Sequence, residues 1–253
     1  MKLKDKVAII TGAGQGLGKE YALGFAREGA KVVVAEIKLD NAQQVAREIE
    51  SQGGEALAIR TDVTVEADAL QAAEKTIAAF GRIDVLVNNA AIYFGLGMKP
   101  FEMISEKEWD DMMAVNVKGG FFMSKAVMPQ MKKQKSGSII NVSSSTWLGG
   151  TPYLLHYVTT KAAVVGMTRA MAREIGEHNI RVNAISPGFT MTEASKTMKG
   201  TPPGLTQMVI DACCIKRSQQ PEDLVGTCIF LASDDSSFMT GQLLNVDGGW
   251  AMH

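Results

Sequence analysis

The stretch Val7-Ala8-Ile9-Ile10-Thr11-Gly12-Ala13-Gly14-Gln15-Gly16-Leu17-Gly18 joins a short apolar run to a glycine-rich turn that opens a helix. The apolar run has the length and composition of a buried strand. A glycine-rich turn lets the backbone approach a phosphate group, whose charge is met by the amides at the N-terminus of the following helix. The stretch therefore predicts a strand–turn–helix unit with a phosphate-binding turn, and a purely structural tight turn is the alternative.

Two named phosphate-binding patterns do not fit this turn. A Walker A loop would need glycine in place of Ala13 and Ser or Thr in place of Glu20, which disfavours ATP-type binding. The dinucleotide pattern GxGxxG fails because Leu17 occupies the position of its last glycine. The spacing that is present has glycine at positions 12, 16 and 18.

An acidic residue, Glu36, stands at the end of the second apolar run, Val32–Ala35. A carboxylate at this position accepts hydrogen bonds from both ribose hydroxyls of NAD and repels a 2′-phosphate. The sequence therefore favours NAD over NADP, although Lys38 lies close enough to soften the preference. The alternative interpretation of Glu36 is a solvated carboxylate at a strand end.

Apolar runs of strand length alternate with helical stretches along the chain, which indicates βαβ units and a parallel sheet covered on both faces. No linker divides the pattern, so residues 1–253 are expected to form a single α/β domain. An irregular segment at about 190–214, containing Pro202, Pro203 and several methionines, predicts a mobile flap. The predicted strands are Val7–Ile10, Lys31–Ala35, Glu55–Arg60, Asp84–Val87, Ser138–Val142, Arg181–Ile185 and Leu243–Val246.

Charge and composition exclude several classes of partner. The 253 residues include 26 Lys and Arg against 27 Asp and Glu, which gives no electrostatic reason to expect nucleic acid or membrane as the main partner. The first apolar run is too short for a signal peptide and no stretch reaches transmembrane length, so we expect a cytoplasmic protein. The three cysteines, Cys213, Cys214 and Cys228, have no CxxC spacing and predict neither a disulfide framework nor a metal site.

Tyr157 and Lys161 lie four residues apart, so a helix from Thr160 onward places both side chains on one face. A free tyrosine, with a pKa of about 10, is a poor base at neutral pH. An ammonium ~6 Å away, at an effective dielectric of ~20, favours the phenolate by roughly 3 kcal/mol and lowers this pKa. With a hydroxyl donor such as Ser144 and an oxidised nicotinamide nearby, Tyr157 becomes a base that removes a proton from an alcohol. Many helices contain a Tyr/Lys pair at this spacing, so the surrounding residues decide whether this pair is catalytic.

Polar residues follow several of the predicted strands, at the sheet edge where ligands of open α/β sheets bind. Asp62-Val63 follows the third strand and Asn89-Ala90 the fourth, while Pro187-Gly188 turns the chain after the sixth. Asn116 lies in an apolar helical stretch, where asparagine is unfavourable unless it bonds locally or holds a kink and a water.

Together these motifs resemble the short-chain dehydrogenase/reductase family along essentially the whole chain. The resemblance implies a Rossmann-type sheet in the order 3-2-1-4-5-6-7. It also implies a catalytic set in which Tyr157 is the general acid/base, Lys161 lowers its pKa and holds the nicotinamide ribose, Ser144 orients the substrate oxygen and Asn116 holds a water in a proton relay. The cofactor-binding residues it implies are Gly12, Gln15, Gly16, Leu17, Gly18, Glu36, Asp62, Val63, Asn89, Ala90, Tyr157, Lys161, Pro187, Gly188, Thr190 and Thr192.

The function expected from these residues is hydride transfer between NAD and a secondary alcohol or ketone, without a metal. The predicted substrate walls are apolar and partly aromatic, which favours a cyclic or aromatic substrate. The segments 144–147 and 246–253 also resemble family members that oxidise aryl alcohols. The substrate pocket is predicted to include Phe94, Ser144, Trp147, Tyr153, Phe189 and Met191.

Two other functions stay open from the sequence. One is a 3-oxoacyl-carrier-protein reductase, which would use NADPH and a basic docking patch; Glu36 opposes the first requirement. The other is a non-catalytic NAD-binding sensor or scaffold, which would have no need of all four catalytic positions. The resemblance further implies a homo-oligomer, a tetramer.

Overall fold

The computed structural model describes residues 1–93, 95–196, 200 and 202–252. Seven parallel strands form one sheet in the order β3-β2-β1-β4-β5-β6-β7, as predicted. Phe94, predicted to line the substrate pocket, and Met198, predicted in the flap, lie outside the described residues. The strands are β1 Val7–Thr11, β2 Lys31–Glu36, β3 Ala56–Arg60, β4 Val85–Asn88, β5 Gly137–Val142, β6 Ile180–Pro187 and β7 Leu243–Val246.

Helices cover both faces of this sheet. The Tyr157 helix begins at Leu155, five residues before the position expected from the sequence, and ends at Ile175. The α-helices of the described residues are α1 Gly16–Arg27, α2 Leu39–Ser51, α3 Glu66–Phe80, α4 Glu106–Met113, α5 Gly119–Gln134, α6 Thr146–Gly149, α7 Leu155–Ile175, α8 Glu193–Lys196, α9 Leu205–Ala212 and α10 Glu222–Ala232. Short 3₁₀ turns lie at Phe101–Met103, Gly176–His178 and Asp234–Ser236, and a π-helical turn at Ala114–Lys118.

The alternation of side chains along each strand divides the core into two layers. Ile10 and Val34 point to the layer packed by α1, α2 and α10, whereas Ile9 and Val33 point to the layer packed by α3, α5 and α7. All four side chains are fully buried. Burial of each contributes about 1.5–3 kcal/mol, which explains why these strands read as continuous apolar runs in the sequence.

The irregular segment predicted as a flap contains two helices, α8 and α9, which face the carboxyl edge of the sheet. Backbone hydrogen bonds tie its start to the chain before α10: the Met191 amide donates to the Gln219 carbonyl at 2.9 Å. None of the residues of α9 is buried, and Met208 is 61% exposed. The mobility of this segment stays a prediction. Among the described residues no helix is long and apolar enough to cross a membrane.

Candidate active site

A cavity of about 1090 Å³ opens at the carboxyl edge of the sheet. It is formed by the turns after the strands, together with α7 and the flap helices. Most of the side chains predicted for a cofactor and substrate meet at this cavity. Those that line it are Gly12, Gln15, Gly16, Leu17, Glu36, Asp62, Val63, Asn89, Ala90, Ser144, Tyr157, Lys161, Pro187, Gly188, Phe189, Thr190, Met191 and Thr192.

Four predicted site residues lie away from the described wall of this cavity. Gly18 lies behind the turn, where a Cβ would be 2.6 Å from the Asn89 side chain and closer still to the Gly12 carbonyl. Asn116 is buried next to α7. Tyr153 is 56% exposed, and the Trp147 indole nitrogen is buried without a hydrogen-bond partner among the described residues. Neither of these two aromatic residues contributes to the cavity wall.

The glycine-rich turn is held by the end of β4. The Thr11 hydroxyl donates to the Val87 carbonyl and accepts the amides of Asn89 and Ala90 at 3.0 Å. Gly12 has a φ of 62°, and a Cβ there would be 2.9 Å from the Cα of Ala90, so the turn needs glycine at this position. Packing against β4 thus fixes the turn that precedes α1.

The N-terminus of α1 is suited to an anion. No side chain caps it, and its first turn carries no acidic residue. The first amides of a helix lack partners within the helix, and the helix dipole adds positive potential there. Gln15, Gly16 and Leu17 bring this terminus to the cavity wall. The site therefore fits the pyrophosphate of a dinucleotide.

Glu36 lies at the end of β2 on the same wall and is only 8% exposed. Its carboxylate accepts the amide of Gly14 and the amide of Lys38, both at 3.2 Å. These contacts orient a negative charge beside the turn that would hold the adenosine half of a dinucleotide. A carboxylate in this position is suited to accept hydrogen bonds from ribose hydroxyls.

Lys161 is anchored under the cavity by β5. Its ammonium donates a 2.8 Å hydrogen bond to the Val142 carbonyl and lies 5.6 Å from the centre of the Tyr157 ring. The neighbouring Ser143 hydroxyl donates to the Lys161 carbonyl at 2.7 Å, so Ser143 is already committed to a structural bond. Helix α7 and strand β5 therefore fix Tyr157 and Lys161 relative to each other.

Ser144 lines the cavity, as do Ser143 and Ser145. Its oxygen accepts the Thr146 amide at 3.3 Å and the Thr146 hydroxyl at 3.1 Å, which leaves its own proton to donate. The structural bond of Ser143 disfavours that serine, and the choice of Ser144 over Ser145 stays a prediction.

The expected effect of Lys161 on Tyr157 needs a correction. Burial raises the pKa of Tyr157 to about 12, and the Ser144 hydroxyl only partly opposes it. Burial also lowers the pKa of Lys161 to about 8. The expectation counted the attraction between the charges and left out the loss of water around the phenolate, which is the larger effect in this buried site. Tyr157 is therefore protonated at neutral pH in this structure.

Asn116 occupies a π-helical turn, Ala114–Lys118, between α4 and α5. Its side-chain oxygen accepts the Ile92 amide at 2.7 Å and its nitrogen donates to the Thr160 hydroxyl at 3.2 Å. The side-chain nitrogen also donates to the Met112 sulfur one turn earlier, at 3.1 Å, so the local bond that was one of the two alternatives is present. The water stays a prediction. Such π-turns are rare and are frequent at functional sites.

Sequence interpretation did not assign Tyr93, Trp250 or Glu222 to the site, although all three line the cavity. The Tyr93 ring lies 5.5 Å from the Tyr157 ring, centre to centre. Tyr93 and Trp250 follow the carboxyl ends of β4 and β7, so the rule that located Asn89 would have located them too. Glu222 begins α10, and its sequence neighbourhood carries no comparable signal.

The charges around the cavity are unevenly distributed. Among the described residues that line it, the only cations are Lys38 and Lys161. The carboxylates are Glu20, Glu36, Asp62, Glu193, Glu222 and Asp247. The part of the wall formed by Ile92, Tyr93, Met98, Leu154, Leu205, Val209 and Trp250 is uncharged. The wall therefore carries more carboxylates than cations, and it includes several apolar side chains.

Comparison with known proteins places these features in a family. The family model described as "Enoyl-(Acyl carrier protein) reductase" matches residues 12–251. The 3-oxoacyl-[acyl-carrier-protein] reductase FabG of Thermotoga maritima is 39% identical over 249 residues, 98% of this chain and 99% of the relative.

Two solved structures share the fold over nearly their whole length. A 3-ketoacyl-(acyl-carrier-protein) reductase from Brucella melitensis, complexed with NADH, has 35% identity and a TM-score of 0.90, covering 99% of this chain and 100% of that one. A 7 alpha-hydroxysteroid dehydrogenase complexed with NADH and 7-oxo glycochenodeoxycholic acid has 38% identity and a TM-score of 0.93, covering 100% and 96%. The chain is therefore an oxidoreductase that belongs to the short-chain dehydrogenase/reductase family.

Proposed function

We propose that this protein transfers a hydride between NAD(H) and an apolar secondary alcohol or ketone that carries a ring. The observation that carries the proposal is the position of Tyr157, with Ser144 and Lys161, on the wall of a cavity whose remaining substrate end is uncharged. A neutral carbonyl compound needs a proton donor and a hydrogen-bond donor, and both are present here. A charged substrate would need a cation, and the described wall offers only Lys38 and Lys161.

The cofactor, when bound, supplies or accepts the hydride at the carbon of the carbonyl group. Tyr157 supplies the proton: with a pKa of about 12 it is protonated at neutral pH and acts as the general acid in ketone reduction. Ser144 donates its free proton to the same carbonyl oxygen and orients it. In alcohol oxidation the roles reverse, and Tyr157 accepts the hydroxyl proton.

Lys161 and Asn116 support this proton transfer. A cavity of about 10 Å³, the size of one water, is lined by both residues and by Asn88. The Asn88 side-chain oxygen is buried and has no hydrogen-bond partner among the described residues, so it is suited to hold a water there. A water in this cavity would lie beside Lys161 and could exchange a proton with it, while Lys161 would also hold the nicotinamide ribose when the cofactor is bound.

NAD is proposed over NADP because Glu36 turns a carboxylate toward the adenosine end and because carboxylates outnumber lysines on the cavity wall. Two relatives of known structure are complexed with NADH, which is compatible with this preference. The Glu36 carboxylate at this end would disfavour an additional phosphate.

A second candidate is reduction of 3-oxoacyl groups on acyl carrier protein, because two of the compared relatives carry that name. It predicts turnover of a 3-oxoacyl thioester with NADPH. Turnover of cyclohexanone or acetophenone with NADH, above that of the thioester with either cofactor, favours the first proposal. The opposite order would replace it.

A matched pair of variants tests whether the chain is a catalyst rather than an NAD-binding scaffold. Tyr157→Phe removes the proton donor, and we expect turnover to fall by about 10²- to 10⁴-fold with NADH affinity unchanged. Tyr21→Phe is the control, because Tyr21 lies on the buried face of α1 and its hydroxyl has no described partner. Equal turnover by Tyr157→Phe and the parent protein would refute the proposed role of Tyr157.

The proposal extends to assembly and location. We expect a homotetramer in the cytoplasm. Phe121, on α5, is 49% exposed and lies next to Phe122, and such an apolar surface is suited to contact with a second copy.

A further inference from the structure

The C-terminal turn after β7 is wrapped around one buried carboxylate. Asp247, 6% exposed, accepts the amides of Gly249 at 3.0 Å, Trp250 at 3.2 Å and Ala251 at 2.9 Å. It also accepts the Asn245 side-chain amide at 2.8 Å. Charge-assisted bonds of this kind are stronger than neutral ones, so the turn has a defined conformation. The indole of Trp250 is therefore presented in one direction.

The indole lies across the segment between β5 and α7, residues 143–154, which is called the active-site loop below. The Trp250 ring lies directly on the backbone of Gly149, the last residue of α6: a Cβ on Gly149 would be 2.6 Å from Cζ3 of the indole and closer still to Cη2. Only glycine allows this approach. Helix α6 begins two residues after Ser144, so the indole is seated on the segment that carries the substrate-orienting hydroxyl.

The flap holds the other side of the same turn. The Ile215 amide donates to the Gly248 carbonyl at 2.9 Å, and a Cβ on Gly249 would be 2.9 Å from the Cβ and the sulfur of Cys214. These residues directly follow α9, whose Leu205 and Val209 line the cavity with Trp250. The C-terminal turn thus lies between the flap and the active-site loop, and its indole closes the wall between them.

We propose that Trp250 is the specificity-determining residue of the substrate end and selects a compact ring-bearing ketone or alcohol. The proposal rests on the proposed NAD-dependent activity. A planar indole offers a large apolar face against which a single or fused pair of rings packs. The same side chain, fixed by Asp247 and seated on Gly149, limits the length of the chamber and disfavours a substrate of four fused rings.

The test compares cyclohexanone, 1-decalone and a tetracyclic steroid ketone, with NADH as cofactor. Trp250→Ala should lower kcat/KM for cyclohexanone and raise that for the steroid, so that their ratio changes by at least about tenfold. Trp250→Phe should give an intermediate ratio. Affinity for NADH, measured by its fluorescence, should stay within about twofold because the cofactor end is untouched.

Two glycine variants distinguish the effect of displacing the Trp250 indole from a general loss of structure. Gly149→Ala should displace the indole and shift the ratio in the same direction as Trp250→Ala. Gly166→Ala, in α7, is the matched control, since a Cβ there meets nothing within 4 Å. Folding of every variant is checked by its thermal midpoint.

An unchanged substrate ratio in folded Trp250→Phe and Gly149→Ala would overturn the role of Trp250 while leaving the proposed function intact. If the parent protein turns over none of the ketones, the proposed function fails instead. The role of Trp250 is then decided by calorimetric binding of 1-decalone: weaker binding to Trp250→Phe supports it, and equal binding overturns it.

Discussion

The Lys161 ammonium lies 5.6 Å from the centre of the Tyr157 ring while it donates a 2.8 Å hydrogen bond to the Val142 carbonyl. Helix spacing brings the two side chains to one face, but β5 supplies the carbonyl that fixes the lysine. The pair is fully enclosed, since Lys161 is 3% exposed and Tyr157 is 6% exposed. Burying the Lys161 charge away from water therefore lowers the free energy of unfolding, and this effect can be measured.

Replacing Lys161 with methionine should stabilise the protein and abolish its turnover. Burial lowers the pKa of Lys161 from 10.5 to about 8, so holding its proton at pH 7 costs up to about 3 kcal/mol. The lost bond to Val142 offsets about 1 kcal/mol of the gain. We expect Lys161→Met to unfold at higher urea concentration than the parent protein at pH 7.

The pH dependence of this difference has a defined sign. Between pH 8 and 10.5 the unfolded chain holds the Lys161 proton and the folded chain does not, so this group makes the parent protein more stable as the pH rises. The advantage of Lys161→Met should therefore shrink toward pH 10. The exposed Lys4→Met is the control. A variant that is less stable than the parent protein at pH 7 would contradict the assignment.

Replacing Glu36 with glutamine should weaken the preference for NADH over NADPH. Removing one charge near a phosphate, at an effective dielectric of ~20, changes the interaction by about 2–3 kcal/mol, or roughly thirty- to a hundred-and-fifty-fold in affinity. Glutamine keeps a carbonyl oxygen for the Gly14 amide, so the turn should remain folded. Fluorescence titration with each cofactor measures the ratio.

Glu55→Gln is the matched control for this change, because Glu55 is an exposed carboxylate beside the start of β3 and away from the cavity. If Glu36→Gln and the parent protein show the same ratio of NADH affinity to NADPH affinity, another residue sets the choice of cofactor.

Replacing Asn116 with alanine should destabilise the protein by about 1–3 kcal/mol, because the Ile92 amide loses its 2.7 Å partner inside the protein. Hydrogen exchange at the Ile92 amide should accelerate as well. The exposed Gln44→Ala, on α2, should change stability by less than about 0.5 kcal/mol. Retained protection of the Ile92 amide in Asn116→Ala would contradict this role.

Much of the site could be predicted from its position along the chain. In a parallel sheet every strand ends at the same edge, so polar residues that follow strands, such as Asp62 and Asn89, converge without any knowledge of packing. Tyr93 and Trp250 follow strands too, but apolar aromatic residues read as core. Trp147 and Tyr153 are predicted in the pocket as part of an apolar and partly aromatic set, and residue type does not fix the direction of a side chain in a loop.

The amino-acid sequence by itself determined the seven-stranded α/β fold, the nucleotide-binding turn and the pairing of Tyr157 with Lys161, because apolar periodicity and helix spacing are local properties. Tertiary structure alone decided the protonation of that pair and the seating of Trp250 on Gly149. The protonation of the pair depends on segments distant in sequence that exclude water from it. The position of Trp250 depends on where the turn after β7 packs.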